Sequence, residues 1–236
     1  MSTRGKLVVF EGIDGSGKRT QLELLARQLK ARHVPVFRIS FPNYESTFGR
    51  IVARYLNGEF GSLDGVDPHL AAALYAGDRF EAKAKIVEEL DSGHTVLGDR
   101  YVPSNLAHQG ARVPAKNRND FLRWLRHVEY EIYGLPAEDL VIYLRVPAMR
   151  AHELIAGKPA RGYTGLRRDL HEADIGHLEA AATVYDQLSK GPRWRVVECL
   201  DAAANGLRSP EDISGEILAA AGRVLGLESK SASSVR

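Results

Sequence analysis

The stretch "KLVVFEGIDGSGKRTQLELLARQLKAR", residues 6–32, decides the fold. A short β-branched run ends in Gly12, a glycine-rich turn follows, and Leu22, Leu25 and Leu29 then recur at helical spacing. Strand, glycine turn and helix are the setting in which G-x-x-x-x-G-K binds phosphate. The glycines let the backbone N–H groups of residues 12–17 turn inward around phosphate oxygens, and the helix N-terminus adds partial positive charge. Gly12, Asp14, Gly15, Ser16, Gly17, Lys18, Arg19 and Thr20 are the expected nucleotide contacts, with Lys18 reaching the β- and γ-phosphates. A purely structural glycine turn would need neither the lysine nor the helix behind it.

One letter departs from the general pattern, and another within it asks for an explanation. A Ser or Thr normally follows the lysine, and its hydroxyl ligates magnesium. Here Arg19 stands in that place and Thr20 comes one residue later. Asp14 puts a carboxylate inside the loop, where it would repel a nucleotide bound alone. It makes sense beside a second phosphorylated substrate with a metal or a water network. The plainer alternative is an Asp that stabilises the turn.

Outward from this stretch, strand-like runs alternate with helical patterns. Runs at 34–40, 95–100, 139–146 and 193–200 join the first at 6–12, and helical periodicity covers 18–32, 68–90, 117–134, 171–189 and 210–226. Such alternation predicts an α/β fold, a parallel five-stranded sheet with helices on both faces. Ligands in such sheets sit beyond the carboxyl ends of the strands. Two irregular segments emerge at that end. "FPNYESTFG" (41–49) is rich in turn formers, and "AGKPARGYTGLRRD" (156–169) combines glycines with basic residues. With no repeat and no linker, one domain is expected over 1–226, followed by a polar, disordered tail at 227–236.

Composition removes several classes of function. Thirty-two Lys and Arg face thirty Asp and Glu, a net charge of +2, so no nucleic-acid footprint is expected. The one cysteine, Cys199, cannot close an internal disulfide and reads as a buried thiol in "WRVVECL". No apolar run approaches the roughly 18 residues of a membrane span. A strand so near the N-terminus leaves no room for a signal peptide. A soluble cytoplasmic protein is the expectation.

The set "FEGIDGSGKRTQ", "FPNY", "YAGDRF" and "DRYVPSNLAHQG" resembles thymidylate kinases of the nucleoside-monophosphate kinase family, from about Lys6 to Leu188. The resemblance implies transfer of the γ-phosphate of ATP to dTMP with Mg2+, and a homodimer. The residue chemistry agrees. Phosphoryl transfer between nucleotides needs a donor cradle, cations around the moving group and an acceptor pocket. Arg100 ends the third strand, and its planar fork suits an acceptor phosphate. Asp99 ends the same strand and would hold magnesium or orient Arg100; the metal set is Asp14 and Asp99, with Glu172 as a further member.

The resemblance also implies an acceptor site. Tyr75 would stack on the base and Arg79, on the same helix face, would bond its carbonyl; a Tyr–Arg surface pair is the bland alternative. Asp78 would hold Arg79 or other nearby groups. Phe41 and Pro42 would shape the pocket, with Tyr44 lining it or packing. Ser104, Asn105, His108 and Gln109 follow on a helix near base and sugar, with His108 where relatives commonly carry Tyr or Phe. Residues 156–170 would form a basic lid that excludes water. Its cations are Lys158, Arg161, Arg167 and Arg168, flanked by Asp169 and Glu172. Gly15 stands directly after Asp14, so the catalytic cations fall to the lid, Arg161 and Arg168 being favoured beside Asp14, Lys18 and Arg100. Other readings are a kinase of another pyrimidine monophosphate or nucleoside, and a nucleotide-binding regulator with weak catalysis, for which Arg19 argues.

Overall fold

A computed structural model describes residues 4–156, 175–201 and 206–227. Strands β1 (Leu7–Glu11), β2 (Val36–Ser40), β3 (Thr95–Asp99), β4 (Leu140–Arg145) and β5 (Trp194–Glu198) form one sheet in the order β2-β3-β1-β4-β5. All four pairings are parallel. β1 lies in the middle and its LVVFE side chains are all buried, as a strand covered on both faces requires.

The helices are α1 (Lys18–Lys30), α2 (Thr47–Leu56), α3 (Pro68–Asp91), α4 (Val102–Ala111), α5 (Ala115–Arg126), α6 (Ala148–Ala156), α7 (Ile175–Leu188) and α8 (Pro210–Leu225). α1 and α8 pack together on the sheet, while α4 packs against both α3 and α7. Leu22, Leu25 and Leu29 turn the inner stripe of α1 into the core at 5%, 0% and 0% exposure. Each contributes about 1.5–3 kcal/mol of apolar burial.

The sequence reading of the five strands and of the α/β class holds, with three differences. The turn-rich 41–49 segment passes into α2 at Thr47, where Ser46 caps the helix by accepting from the Gly49 amide. The helical pattern at 117–134 is α5 followed by a π-helical turn at His127–Ile132. A two-residue antiparallel ladder, β6 (Leu200–Asp201) with β7 (Gly206–Leu207), follows β5. Cys199 is buried as expected but sits just past β5. The tail at 228–236 lies outside the described residues.

Register positions the site. Ser40 pairs with Asp99, and Asp99 with Phe10. The next residues along, Phe41, Arg100 and Glu11, therefore leave three adjacent strands side by side. The backbone turns sharply there. Arg100 adopts a left-handed φ of 68°, and its amide still donates to the Phe10 carbonyl at 3.0 Å. A non-glycine residue in that region is strained and persists only where its surroundings fix it.

Candidate active site

The loop between β1 and α1 is built around its glycines. Gly17 caps α1 at φ 87°, and a Cβ on Gly12 would meet the Leu144 carbonyl at 2.7 Å. Lys18 is buried beneath the loop, with Nζ donating to the carbonyl oxygens of Gly12 (3.0 Å) and Ile13 (2.9 Å). Burial, then the neighbouring Arg100, pulls its pKa down to about 8, against the opposing pull of Asp14, Asp99 and Glu11. Ser16 is buried beside it. Arg19 and Thr20 face solvent, and Arg19 pairs with Glu23 at 3.1 Å with 85% of its side chain exposed. Arg19, expected among the nucleotide contacts, thus points away from the loop.

Arg100 is the hub of the site. Its Nη2 donates to Asp14 Oδ1 at 2.6 Å, and its Nη1 lies 3.2 Å from the Gly12 carbonyl, 3.1 Å from Ser104 Oγ and 3.3 Å from His108 Nε2. Burial opposes its charge, but Asp14 foremost outweighs this and holds the guanidinium pKa well above its usual value. The carboxylate bonded to Arg100 is thus Asp14. Asp99 was the other candidate for that role, and it acts on Arg100 only through its charge.

A second carboxylate underlies this arrangement. Glu11, fully buried at the end of β1, accepts from the Tyr101 amide (2.8 Å), Ser104 Oγ (2.6 Å) and Tyr185 OH (2.8 Å). It ties β1, the start of α4 and α7 together directly beneath Arg100. Its pKa is raised by burial, which the three hydrogen bonds and Arg100 oppose. Sequence reasoning passed over Glu11 and Tyr185. A lone carboxylate closing an apolar strand was the available signal for the first; nothing local marks the second.

The residues expected at an acceptor site lie on α3, on α4 and in the segment after β2. Arg79 is 2% exposed, and Glu129 takes both Nε (2.6 Å) and Nη2 (2.5 Å) of its guanidinium. This excludes the surface-pair reading. Glu129, on the π-helical turn, also went unread. Asp78 accepts from the Asn43 amide (2.9 Å) and Ser46 Oγ (2.6 Å), fixing the turn after Pro42. Phe41 is buried against Tyr101 at 6.0 Å between ring centroids. Pro42, Tyr44 and Tyr75 are half-buried, Tyr44 and Tyr75 against a small cluster around Val52 and Tyr55.

Asn105 and Gln109 share a face of α4. Asn105 Nδ2 donates to the Ala72 carbonyl (2.9 Å) and to Glu129 Oε1 (2.8 Å). Both partners only accept, which fixes the orientation of the amide. Asn105 Oδ1 and Gln109 Nε2 are left buried and unpartnered among the described residues. Most buried polar atoms are met by a protein, water or ligand partner.

Of the carboxylates expected to hold a cation, Asp14 lies in the loop bonded to Arg100 and Asp99 ends β3, where its charge acts on Lys18 and Arg100. Among the described residues no three His, Cys, Asp or Glu side chains gather into a metal cage. Lys158, Arg161, Arg167, Arg168, Asp169 and Glu172 lie outside the described residues.

A parallel sheet whose central β1 runs into a glycine-rich phosphate loop, with an arginine at the tip of the neighbouring β3, is the architecture of a P-loop nucleoside-monophosphate kinase. Residues 10–202 match the family profile described as thymidylate kinase. The chain belongs to the thymidylate kinase family. The thymidylate kinase of Mycobacterium tuberculosis is 35% identical over 196 residues, spanning 81% of this chain and 90% of that protein. The thymidylate kinase of Homo sapiens is 30% identical over 197 residues, spanning 83% and 82%. A solved thymidylate kinase from Candida albicans superimposes with a TM-score of 0.72 at 21% identity, covering 95% of each chain, a likeness of fold. Among the described residues no helix is long and apolar enough to cross a membrane.

Proposed function

We propose that the protein transfers the γ-phosphoryl group of ATP to the 5′-phosphate of dTMP, giving dTDP and ADP. An oxygen of the dTMP phosphate forms the new P–O bond while the bond from the γ-phosphorus to the β–γ bridging oxygen breaks. The loop amides and Lys18 hold the donor. Arg100, aimed by Asp14, holds the acceptor phosphate in line and offsets the charge that spreads over the moving group. Arg161 and Arg168 would add cations there. Magnesium, held by Asp14, Asp99 and phosphate oxygens, would supply further charge neutralisation, with Glu172 as a further ligand.

The orphaned Asn105 Oδ1 carries the choice of base. It can only accept, so it suits the N3–H of thymine or uracil and leaves cytosine, whose N3 has no hydrogen, without a partner. Gln109 Nε2 offers a donor on the same face. Arg79 and Tyr75 complete the pocket for the base, with His108 and Ser104 towards sugar and phosphate.

A coupled ADP-release assay with magnesium tests this. Turnover is expected with dTMP, and much weaker turnover with CMP. Measurable ATP binding with no dTMP turnover would leave the chain a nucleotide-binding regulator; faster turnover of CMP or a nucleoside would refute the base assignment. The same reading makes the protein a cytoplasmic homodimer. The exposed Phe80 (49%) and Ile132 (63%) offer an apolar surface in keeping with self-association, and sedimentation equilibrium would read the stoichiometry.

A further inference from the structure

Behind Arg100 runs a chain of two histidines. Arg100 Nη1 lies 3.3 Å from His108 Nε2, and His108 Nδ1 lies 3.3 Å from His177 Nε2 on α7. Both imidazoles are 6% exposed, their rings 5.5 Å apart and tilted by 38°. Guanidinium has only hydrogens to give. The nitrogen facing it must therefore offer a lone pair, which makes His108 neutral with its proton on Nδ1. That proton faces His177 Nε2, which must offer a lone pair in turn. Only this ordering of protons satisfies both contacts.

The reverse ordering has a cost. A proton on His108 Nε2 would face the hydrogens of Nη1, and Nη1 would be left to Gly12 and Ser104 alone, its two other acceptors. An imidazolium at either position adds like charge beside Arg100. Among the described residues, the groups facing the pair include Arg100 with Asp14 behind it, Ser104 on α4, and Tyr185 on α7, edge-on to His108 at 6.0 Å. Glu11 of β1 reaches them through Ser104 and Tyr185.

We propose that His177 is a positioning residue for Arg100. By accepting from His108 Nδ1 it fixes the tautomer whose Nε2 accepts from the guanidinium, and so aims the clamp on the acceptor phosphate. This role rests on the reading of Arg100 given above. Its structural core, the tautomer, can be read without turnover.

Long-range 1H–15N spectra of 15N-histidine-labelled full-length protein at pH 8, with the His108 signal assigned by its loss in His108→Asn, report the tautomer directly. The expected result is His108 as the Nδ1–H form in the wild type, and a shift towards Nε2–H in His177→Leu. His177→Gln presents an amide oxygen as acceptor and is expected to restore the Nδ1–H form. In parallel, His177→Leu should lower kcat/KM for dTMP about three- to tenfold, the value of one hydrogen bond, with ATP affinity retained as the check on folding. His177→Gln should recover most of the loss. A wild-type His108 protonated on Nε2 would overturn the proposal, as would equal losses in the Leu and Gln variants. A correct tautomer with no dTMP turnover would instead count against the assigned reaction.

Discussion

Asp14 and Arg100 are 86 residues apart in the chain and 2.6 Å apart in the fold, with Asp14 Oδ1 accepting from Nη2. The pair resolves why a phosphate loop carries a carboxylate. Asp14 neutralises and aims a guanidinium that would otherwise stand beside Lys18 with no counter-charge bonded to it. Both side chains keep about a seventh of their surface open, at 14% and 15%, so the pair is reachable by substrate.

Removing the hub should separate binding from chemistry. Arg100→Ala is expected to lower kcat for dTMP by about 100-fold or more, the scale seen when one charge-stabilising donor is lost. ATP affinity should stay within about threefold. Asp14→Asn should also lower kcat, since a neutral acceptor aims Nη2 less firmly. Coupled ADP release set against nucleotide titration distinguishes these outcomes from a general loss of fold.

The Arg79–Glu129 pair predicts a stability effect. Both side chains are essentially inaccessible, at 2% and 0%. Glu129→Ala leaves a buried guanidinium without its charge partner and strips Asn105 of one acceptor. A loss of about 3–5 kcal/mol is expected in urea unfolding. Arg79→Met with Glu129→Leu should regain part of that stability while losing dTMP affinity, because no charge is then left unpaired.

Lys18 makes donor binding proton-linked. Its pKa of about 8 lies below the ordinary 10.5, so the free protein above pH 8 offers an uncharged amine. Phosphate binds the ammonium, so ATP binding at pH 9 should take up a proton and weaken as pH climbs through 8. For folding the sign is opposite: carrying the charge buried is a penalty below pH 8 that fades between 8 and 10.5. Calorimetry of ATP binding in two buffers of unlike ionisation enthalpy measures the uptake, which Lys18→Met should abolish.

Cys199 should be chemically silent in the folded protein. It is 2% exposed, and burial pushes its thiol up to about 12. No alkylation by iodoacetamide is expected at pH 8 in buffer, and full labelling in 6 M guanidinium, with mass spectrometry as the readout.

The strands, the phosphate loop and the identity of Arg100 were legible because their signals are local. Periodicity, a glycine turn and a motif each lie within a window of about 20 residues. Glu129, Tyr185 and His177 were not legible. Each acts on a partner 50 or more residues away: Glu129 on Arg79, Tyr185 on Glu11, His177 on His108. Their neighbours in sequence say nothing of those partners. Thr47–Leu56 was hidden for a different reason: turn formers crowd its start, and the helix is recognised by the cap at Ser46 and by packing on α3. The same distinction explains Asp78. Its place beside Arg79 in sequence suggested a pairing, yet its hydrogen bonds go to the turn after Pro42.

The placement of β1 between β3 and β4 has a consequence for how the protein matures. Neither neighbour adjoins β1 in sequence: β3 begins at Thr95 and β4 at Leu140. Closing both parallel pairings requires large loops to be ordered first, which is slow. Arg100 meets Asp14 only after the β1–β3 seam has zipped. Onset of turnover during refolding should therefore trail helix formation, making enzymatic activity a clock for completion of the sheet's centre.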